Sequence, residues 1–152
     1  MGTQQILLIV LSVIIVGAAI AVGITMFNNQ SYTSNKAAIA ADAQNFATQV
    51  VQYYKTPDSQ GGADRNMTNM KVANISSFIG WGATTTTTEN GEYALIVTDN
   101  NVYVLGLGKE TKGNNHPAVR TTIAFPAGTI SAKVIDTVKT TAASLVVGDF
   151  GS

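Results

Sequence analysis

The feature that most constrains this chain is an uninterrupted apolar run near its start. The 22 residues from Ile6 to Phe27 carry no charge, and their only polar side chains are Ser12 and Thr25. The first charged residue of the sequence is Lys36. As a helix rising about 1.5 Å per residue, the run would be about 33 Å long, enough to cross the hydrocarbon core of a bilayer. A helix that is apolar all round must be buried all round.

The helix is predicted to continue well beyond the apolar run, because no proline occurs before Pro57. After Ile39 the apolar residues recur at spacings of four and three, which places them on one stripe of a helix. The stripe consists of Ile39, Ala43, Phe46, Val50 and Tyr53. The opposite face consists of Lys36, Asp42, Gln44, Gln49, Gln52 and Lys55. We therefore predict one helix from about Thr3 to about Lys55, with Gly17 to Gly23 as its weakest segment.

The rest of the chain has the alternation and turn residues of an antiparallel sheet. Lys71 to Trp81 is predicted to hold a short helix or strand, and Asn90-Gly91 is a strong hairpin signal. The strand from Val102 to Leu107 is apolar at nearly every position, which predicts a central strand covered on both faces. The predicted strands are Thr84–Thr88, Tyr93–Thr98, Val102–Leu107, Arg120–Phe125, Thr129–Val138 and a last short strand at Ser144–Val147.

These elements predict an α+β fold: a long N-terminal helix, apolar then amphipathic, packed on a C-terminal antiparallel β-sheet head. The predicted divisions are an apolar helix at 1–28, an amphipathic helix at 29–56, a loop region at 57–82 and the β-sheet head at 83–152. The chain has no cysteine, so packing alone must hold the helix to the sheet. The helical stripe is expected to meet Tyr93, Leu95, Val97, Val104 and Ile123.

The charge content favours self-association over nucleic-acid binding. Nine basic and nine acidic residues give a net charge of zero, whereas nucleic-acid binding requires a basic face. Charged residues make up 12% of the chain, about half the usual share. Such a chain lacks the electrostatic repulsion that keeps monomers apart.

The sequence predicts neither an enzyme nor a cofactor or metal site. No nucleophile, phosphate-loop or metal-ligand motif is present, and the single histidine, His116, has no partner at the spacing that catalysis requires. Asp58 and Asp64 flank a glycine-rich loop that could offer oxygen ligands to calcium, although solvated turns use the same residues. Three asparagines begin N-glycosylation sequons, of which about two are expected by chance: Asn29, Asn66 and Asn74.

Two segments of the first 27 residues, Gln4 to Val10 and Gly17 to Ala21, resemble the type IV pilin superfamily. The resemblance implies a structural subunit that is held in the cytoplasmic (inner) membrane before assembly. Assembly machinery in that membrane would extract the subunit into an extracellular filament, a helical homopolymer with the apolar helices at its axis. The resemblance implies subunit contacts at Gln5, Ile6, Leu7, Ile9, Val10, Val13, Ile14, Gly17, Ile20 and Ile24.

Two features differ from the usual pilin pattern. Pilins usually carry a short basic leader, and no basic residue precedes the apolar run here. For a pilin, we expect either that the leader was removed before Met1 or that the chain belongs to a leaderless branch. Pilins also usually have Glu at the fifth mature position, where this chain has the uncharged Gln5. We expect Gln5 to lie between subunits and to hydrogen bond a neighbour's N-terminal groups.

The alternative is a single-pass membrane protein that presents a small β domain to a ligand. A lone membrane anchor usually has flanking Lys or Arg to fix its topology, and none occurs within the first 35 residues. An anchor is also normally joined to its domain by a linker, whereas here the helix is predicted to run directly into the domain. Both points favour the filament.

Overall fold

A computed structural model describes residues 2–151 as one long helix on a five-stranded sheet. The predicted apolar helix begins at residue 1 and the predicted sheet head ends at residue 152, and both of these residues lie outside the described ones. The regular elements are α1 (Gly2–Lys55), α2 (Val72–Phe78), β1 (Thr85–Thr87), β2 (Gly91–Val97), β3 (Asn101–Gly108), β4 (His116–Ala124) and β5 (Thr129–Thr137). Short 3-10 turns lie at Asp58–Gln60, Met67–Asn69, Ala142–Ser144 and Val147–Phe150. The predicted α+β class is confirmed.

Helix α1 is a single unbroken element of 54 residues, about 80 Å long. The predicted continuity is confirmed, since neither Gly17 nor Gly23 interrupts it. Residues 2–30, here called the stem, contain no buried residue. Residues 31–151, here called the globular part, include the rest of α1 packed on the sheet.

The five strands form an antiparallel meander in the order β1-β2-β3-β4-β5. The predicted β1–β2 hairpin is present, with the Thr88 amide donating to the Gly91 carbonyl (2.8 Å). A Cβ at position 91 would collide with the Leu107 carbonyl of the neighbouring strand, so this position requires glycine. Strand β3 is central, as predicted, and the predicted segment around Lys71–Trp81 contains the short helix α2.

The main core lies between α1 and one face of the sheet, mostly over β3 and β4. The predicted stripe is confirmed: Phe46 is half-buried and the other four members are buried. The Phe46 ring makes edge contacts with the rings of Trp81 and Tyr93, each at 5.1 Å between centroids. Four of the predicted sheet partners are buried in this core: Tyr93, Leu95, Val104 and Ile123. The fifth, Val97, is half-buried and packs against it. Ala47 and Tyr54 also belong to it and were not predicted.

The C-terminal segment covers the other face of the sheet. Ala142, Leu145 and Phe150 are buried against Leu105 and Leu107. The predicted last strand at 144–147 is wrong, because this segment lies across the face of the sheet in 3-10 turns. Burying Leu145 and Phe150 on that face removes more apolar surface from water than pairing at the exposed edge of β5 would.

The predicted polar face of α1 needs one correction. Gln44, Gln52 and Lys55 are exposed as expected, but Lys36, Asp42 and Gln49 are half-buried. These three residues lie at the margins of the apolar stripe, where the sheet and its loops extend past the helix. Lys36 and Asp42 are therefore within reach of polar partners on the sheet.

Candidate assembly surface and its junction with the globular part

The stem presents apolar side chains in every direction around its axis. All of its large apolar side chains are at least half exposed, from 50% at Val10 to 73% at Phe27. All ten predicted subunit-contact residues lie on this surface and are exposed. No side chain or distant backbone comes within 4 Å of a Cβ built at Gly17. The stem is therefore an apolar surface that the globular part leaves exposed, although Phe27 and Gln30 at its end border a cleft with Asn90 and Glu110.

The polar side chains within the apolar run are already hydrogen bonded inside the helix. The Ser12 hydroxyl donates to the Leu8 carbonyl (2.8 Å) and the Thr25 hydroxyl to the Ala21 carbonyl (2.9 Å). These bonds lower the cost of placing both hydroxyls in an apolar environment. The side-chain amide of Gln5 is exposed, and within residues 2–151 it makes no hydrogen bond. Its predicted partner, a neighbour's N-terminal group, belongs to Met1, which lies outside the described residues.

Where α1 meets the sheet, a carboxylate at the end of β5 binds two side chains of the helix. Asp136 Oδ1 accepts hydrogen bonds from the Tyr32 hydroxyl and from Lys36 Nζ, each at 2.8 Å. The bonds from Lys36 and Tyr32 hold the pKa of Asp136 below its ordinary value. Burial, followed by the bond to Asp136, raises the pKa of Tyr32 to about 12.

A second carboxylate joins α1 to the β1–β2 hairpin. Asp42 Oδ2 accepts hydrogen bonds from the Tyr93 hydroxyl (2.9 Å) and from Asn90 Nδ2 (2.8 Å). Asn35 Nδ2 donates to the Asn90 carbonyl (2.7 Å), which adds a third bond to the same hairpin. Burial, with Asp42 next, raises the pKa of Tyr93. Sequence reasoning missed this junction; the one available signal was that Asp42 directly precedes the stripe residue Ala43.

The remaining predicted residues lie in separate places. The sequon asparagines Asn29, Asn66 and Asn74 are all exposed, and Asn66 Oδ1 accepts from the Thr68 amide (2.9 Å). His116 begins β4, where its Nδ1 donates to the Gly108 carbonyl (3.0 Å). Among the described residues no group of three or more His, Cys, Asp or Glu side chains could hold a metal ion.

By length and composition, α1 could cross a membrane, with a mean hydropathy of 3.0 over its most apolar window. A long apolar helix on an antiparallel sheet is also compatible with a pilin-like fold. In comparisons with known proteins, no family model, no curated protein and no solved structure matches the chain.

Proposed function

We propose that this chain is a structural subunit of a type IV pilus-like filament outside the cell. In this proposal the stems of many copies bundle at the filament axis and the globular parts lie outside. Before assembly the stem would lie in the cytoplasmic (inner) membrane, from which assembly machinery would extract it. The partners are then other copies of the same chain, and no catalytic step is involved.

The observation that carries the proposal is the exposed apolar stem, which is the first half of a continuous helix whose second half packs in the core. The large apolar side chains of the stem are 50–73% exposed. Burying them would contribute on the order of tens of kcal/mol at about 25 cal/mol per Å². A bilayer could bury the stem of one subunit, and neighbouring stems could bury it after extraction.

The rigid connection favours assembly over simple anchoring. Tyr32 and Lys36 bind Asp136 just after the stem ends, so the direction of the stem is fixed relative to the sheet. A helical polymer needs such a fixed geometry, because each copy must repeat the same contacts. A membrane anchor has no such requirement. The length and hydropathy of the stem, however, also suit the second candidate, a single-pass membrane protein with an exposed β domain.

Electron microscopy of material sheared from cells that produce this chain tests the proposal. We expect filaments whose density contains the stem helices at the axis and the globular parts at the periphery. Recovery of the chain from the membrane fraction alone, with no filaments in the sheared material, would contradict assembly and favour the single-pass alternative.

Variants of Gln5 test how the stems fit together. A lone amide in an apolar bundle costs about 1–3 kcal/mol unless it is hydrogen bonded. We expect Gln5→Leu to reduce filament yield, since the neighbour's N-terminal groups would lose their partner, and Gln5→Glu to be tolerated. Gln44→Leu, at an exposed position of the same helix, is the control. Normal yield from Gln5→Leu would contradict the proposed role of Gln5.

A further inference from the structure

A cleft at the opposite end of the globular part from the stem has the character of a small-molecule site. Its volume is about 500 Å³, which lies in the usual range of ligand pockets of about 300–1,000 Å³. It opens beside Tyr53, about 33 Å along α1 from Ser31. The side chains that line it are Tyr53, Asp58, Gln60, Asn69, Asn74, Ser77 and Phe78.

Helix α2 supplies one wall of the cleft. Asn74, Ser77 and Phe78 are spaced as i, i+3 and i+4, so they share one face of this helix. All three are exposed, whereas Ile75 on the adjacent face is fully buried and fixes α2 to the core. The burial of Ile75 therefore fixes the position of the α2 side chains that line the cleft.

The loop after α1 supplies the opposite wall and is held closely against the end of that helix. The amides of Ala63 and Arg65 donate to the carbonyls of Tyr53 (3.0 Å) and Tyr54 (2.8 Å), two of the carbonyls that a helix end leaves without partners. A Cβ at Gly62 would collide with Thr56, so the close approach requires glycine. These contacts fix the position of the loop that carries Asp58 and Gln60.

The lining combines planar polar groups with aromatic rings. Its amide and hydroxyl groups can both donate and accept hydrogen bonds, and the carboxylate of Asp58 accepts them. The Phe78 side chain is 40% exposed, and its ring lies 5.2 Å from that of Tyr53. The Tyr53 hydroxyl donates to the Asn69 carbonyl (3.2 Å), which fixes this second ring.

The same lining disfavours other ligand classes. It contains no Lys, Arg or His to pair with an anion, and its single carboxylate, Asp58, is too few for a calcium site. Its mainly polar surface does not suit a wholly apolar ligand. A sugar ring has hydroxyls for the polar side chains and an apolar C–H face for the Phe78 ring.

We propose that this cleft binds a neutral saccharide unit that is not attached to this chain. Asp58, Gln60, Asn74 and Ser77 would hydrogen bond its hydroxyls, and Phe78 would contact its apolar face. The proposal is independent of filament assembly, because the cleft contains no stem residue.

Saturation-transfer NMR on the full chain tests this proposal. The chain is held in lauryldimethylamine oxide micelles, since alkyl-glycoside detergents would compete for the cleft, and is produced in cells that lack N-glycosylation. The probes are glucose, galactose, mannose and N-acetylglucosamine. We expect at least one of them to bind with a dissociation constant of about 1–10 mM. Binding by none of the four would overturn the proposal.

Paired variants locate the binding. Loss of one hydrogen bond or of the ring contact should raise the dissociation constant about three- to tenfold, so we expect this from Asn74→Ala, Gln60→Ala and Phe78→Ala. Asn114→Ala and Ile130→Ala, at exposed positions outside the cleft, are the controls. Gln60→Ala remains informative if Phe78→Ala is unstable, because Gln60 is exposed. Equal weakening in variants and controls would overturn the proposal.

A second arm separates a free saccharide from one attached to the chain itself. Asn74 begins a sequon, and a glycan linked there would occupy the cleft from within. Mass spectrometry of chain isolated from its native cells should find the peptide containing Asn74 unmodified. A glycan on Asn74 would overturn the proposal of a free ligand.

Discussion

The two halves of α1 have opposite environments within one continuous helix. The stem has no buried residue, whereas the half from Tyr32 to Lys55 has seven. The sequence differs in the same way, because the stem is apolar all round and the second half is apolar along one stripe only. The stripe matches the single sheet face available within the chain, and the stem has no such partner among the described residues. We therefore expect folding and association to depend on different segments of one helix.

Removal of the stem should have the largest effect on association and almost none on folding. We expect a chain that begins at Ser31 to stay monomeric in water without detergent, because it lacks the exposed apolar surface of the stem. Its melting temperature, followed through the fluorescence of the single tryptophan, Trp81, should match that of the full chain in micelles. A shortened chain that aggregates or unfolds would show that the stem also supports the fold.

One substitution made in both halves gives the next largest contrast. Ile39 is fully buried and Ile14 is 61% exposed. Ile39→Ala should lower the free energy of unfolding by about 2–5 kcal/mol because it leaves a cavity in the core, and Ile14→Ala should change it by less than about 0.5 kcal/mol. Urea titration of both variants in micelles, followed through Trp81 fluorescence, measures the difference. Equal losses would mean that the two halves do not have separate roles.

The carboxylate at the hairpin junction should have a smaller effect. Asp42→Ala would leave the buried Tyr93 hydroxyl without its acceptor, at a cost of about 1–3 kcal/mol in unfolding free energy. Asp99→Ala, in an exposed turn, serves as the control and should change stability by less than about 0.5 kcal/mol. If the same urea titration gave equal midpoints for both variants, the hairpin would not depend on Asp42.

The smallest expected effect is the pH dependence at the junction between stem and sheet. The pKa of Tyr32 is raised from 10.0 to about 12, so its stabilisation is complete below pH 10 and is lost as the pH rises through about 12. The pKa of Asp136 is lowered from 3.8, so its stabilisation is complete above pH 3.8 and is lost as the pH falls through the lowered value. Because Asp136 is half exposed, we expect less than about 1 kcal/mol from its ion pair with Lys36.

Thermal melting across this pH range tests both directions. Tyr32→Phe should reduce the loss of stability at alkaline pH without abolishing it, because Tyr93 also has a raised pKa. Asp136→Asn should reduce the acid loss. Unchanged pH profiles in both variants would show that the junction does not contribute to the pH dependence of stability.

Patterns within one element were predictable from the sequence, and contacts between elements mostly were not. The stripe from Ile39 to Tyr53 repeats with the helical period, so its burial followed from spacing alone. The C-terminal segment was mistaken for a strand because Leu145 and Phe150 bury against a sheet face that exists only after the strands pair. The cleft beside Tyr53 could not be predicted from the sequence either, since it forms only when the loop at Gly62 folds back on the helix end.

The course of α1 along the strands also decides how this molecule carries mechanical load. The helix meets Asp136 through Tyr32 near one end of the sheet and Phe125 through Tyr54 near the other, with ring centroids 4.3 Å apart. A tension applied to the stem acts parallel to this interface, so it shears the buried contacts together instead of peeling them apart in sequence. Closely packed interiors transmit such strain with little deformation. A pull on the stem would thus reach the central strands directly, with no slack linker to absorb it.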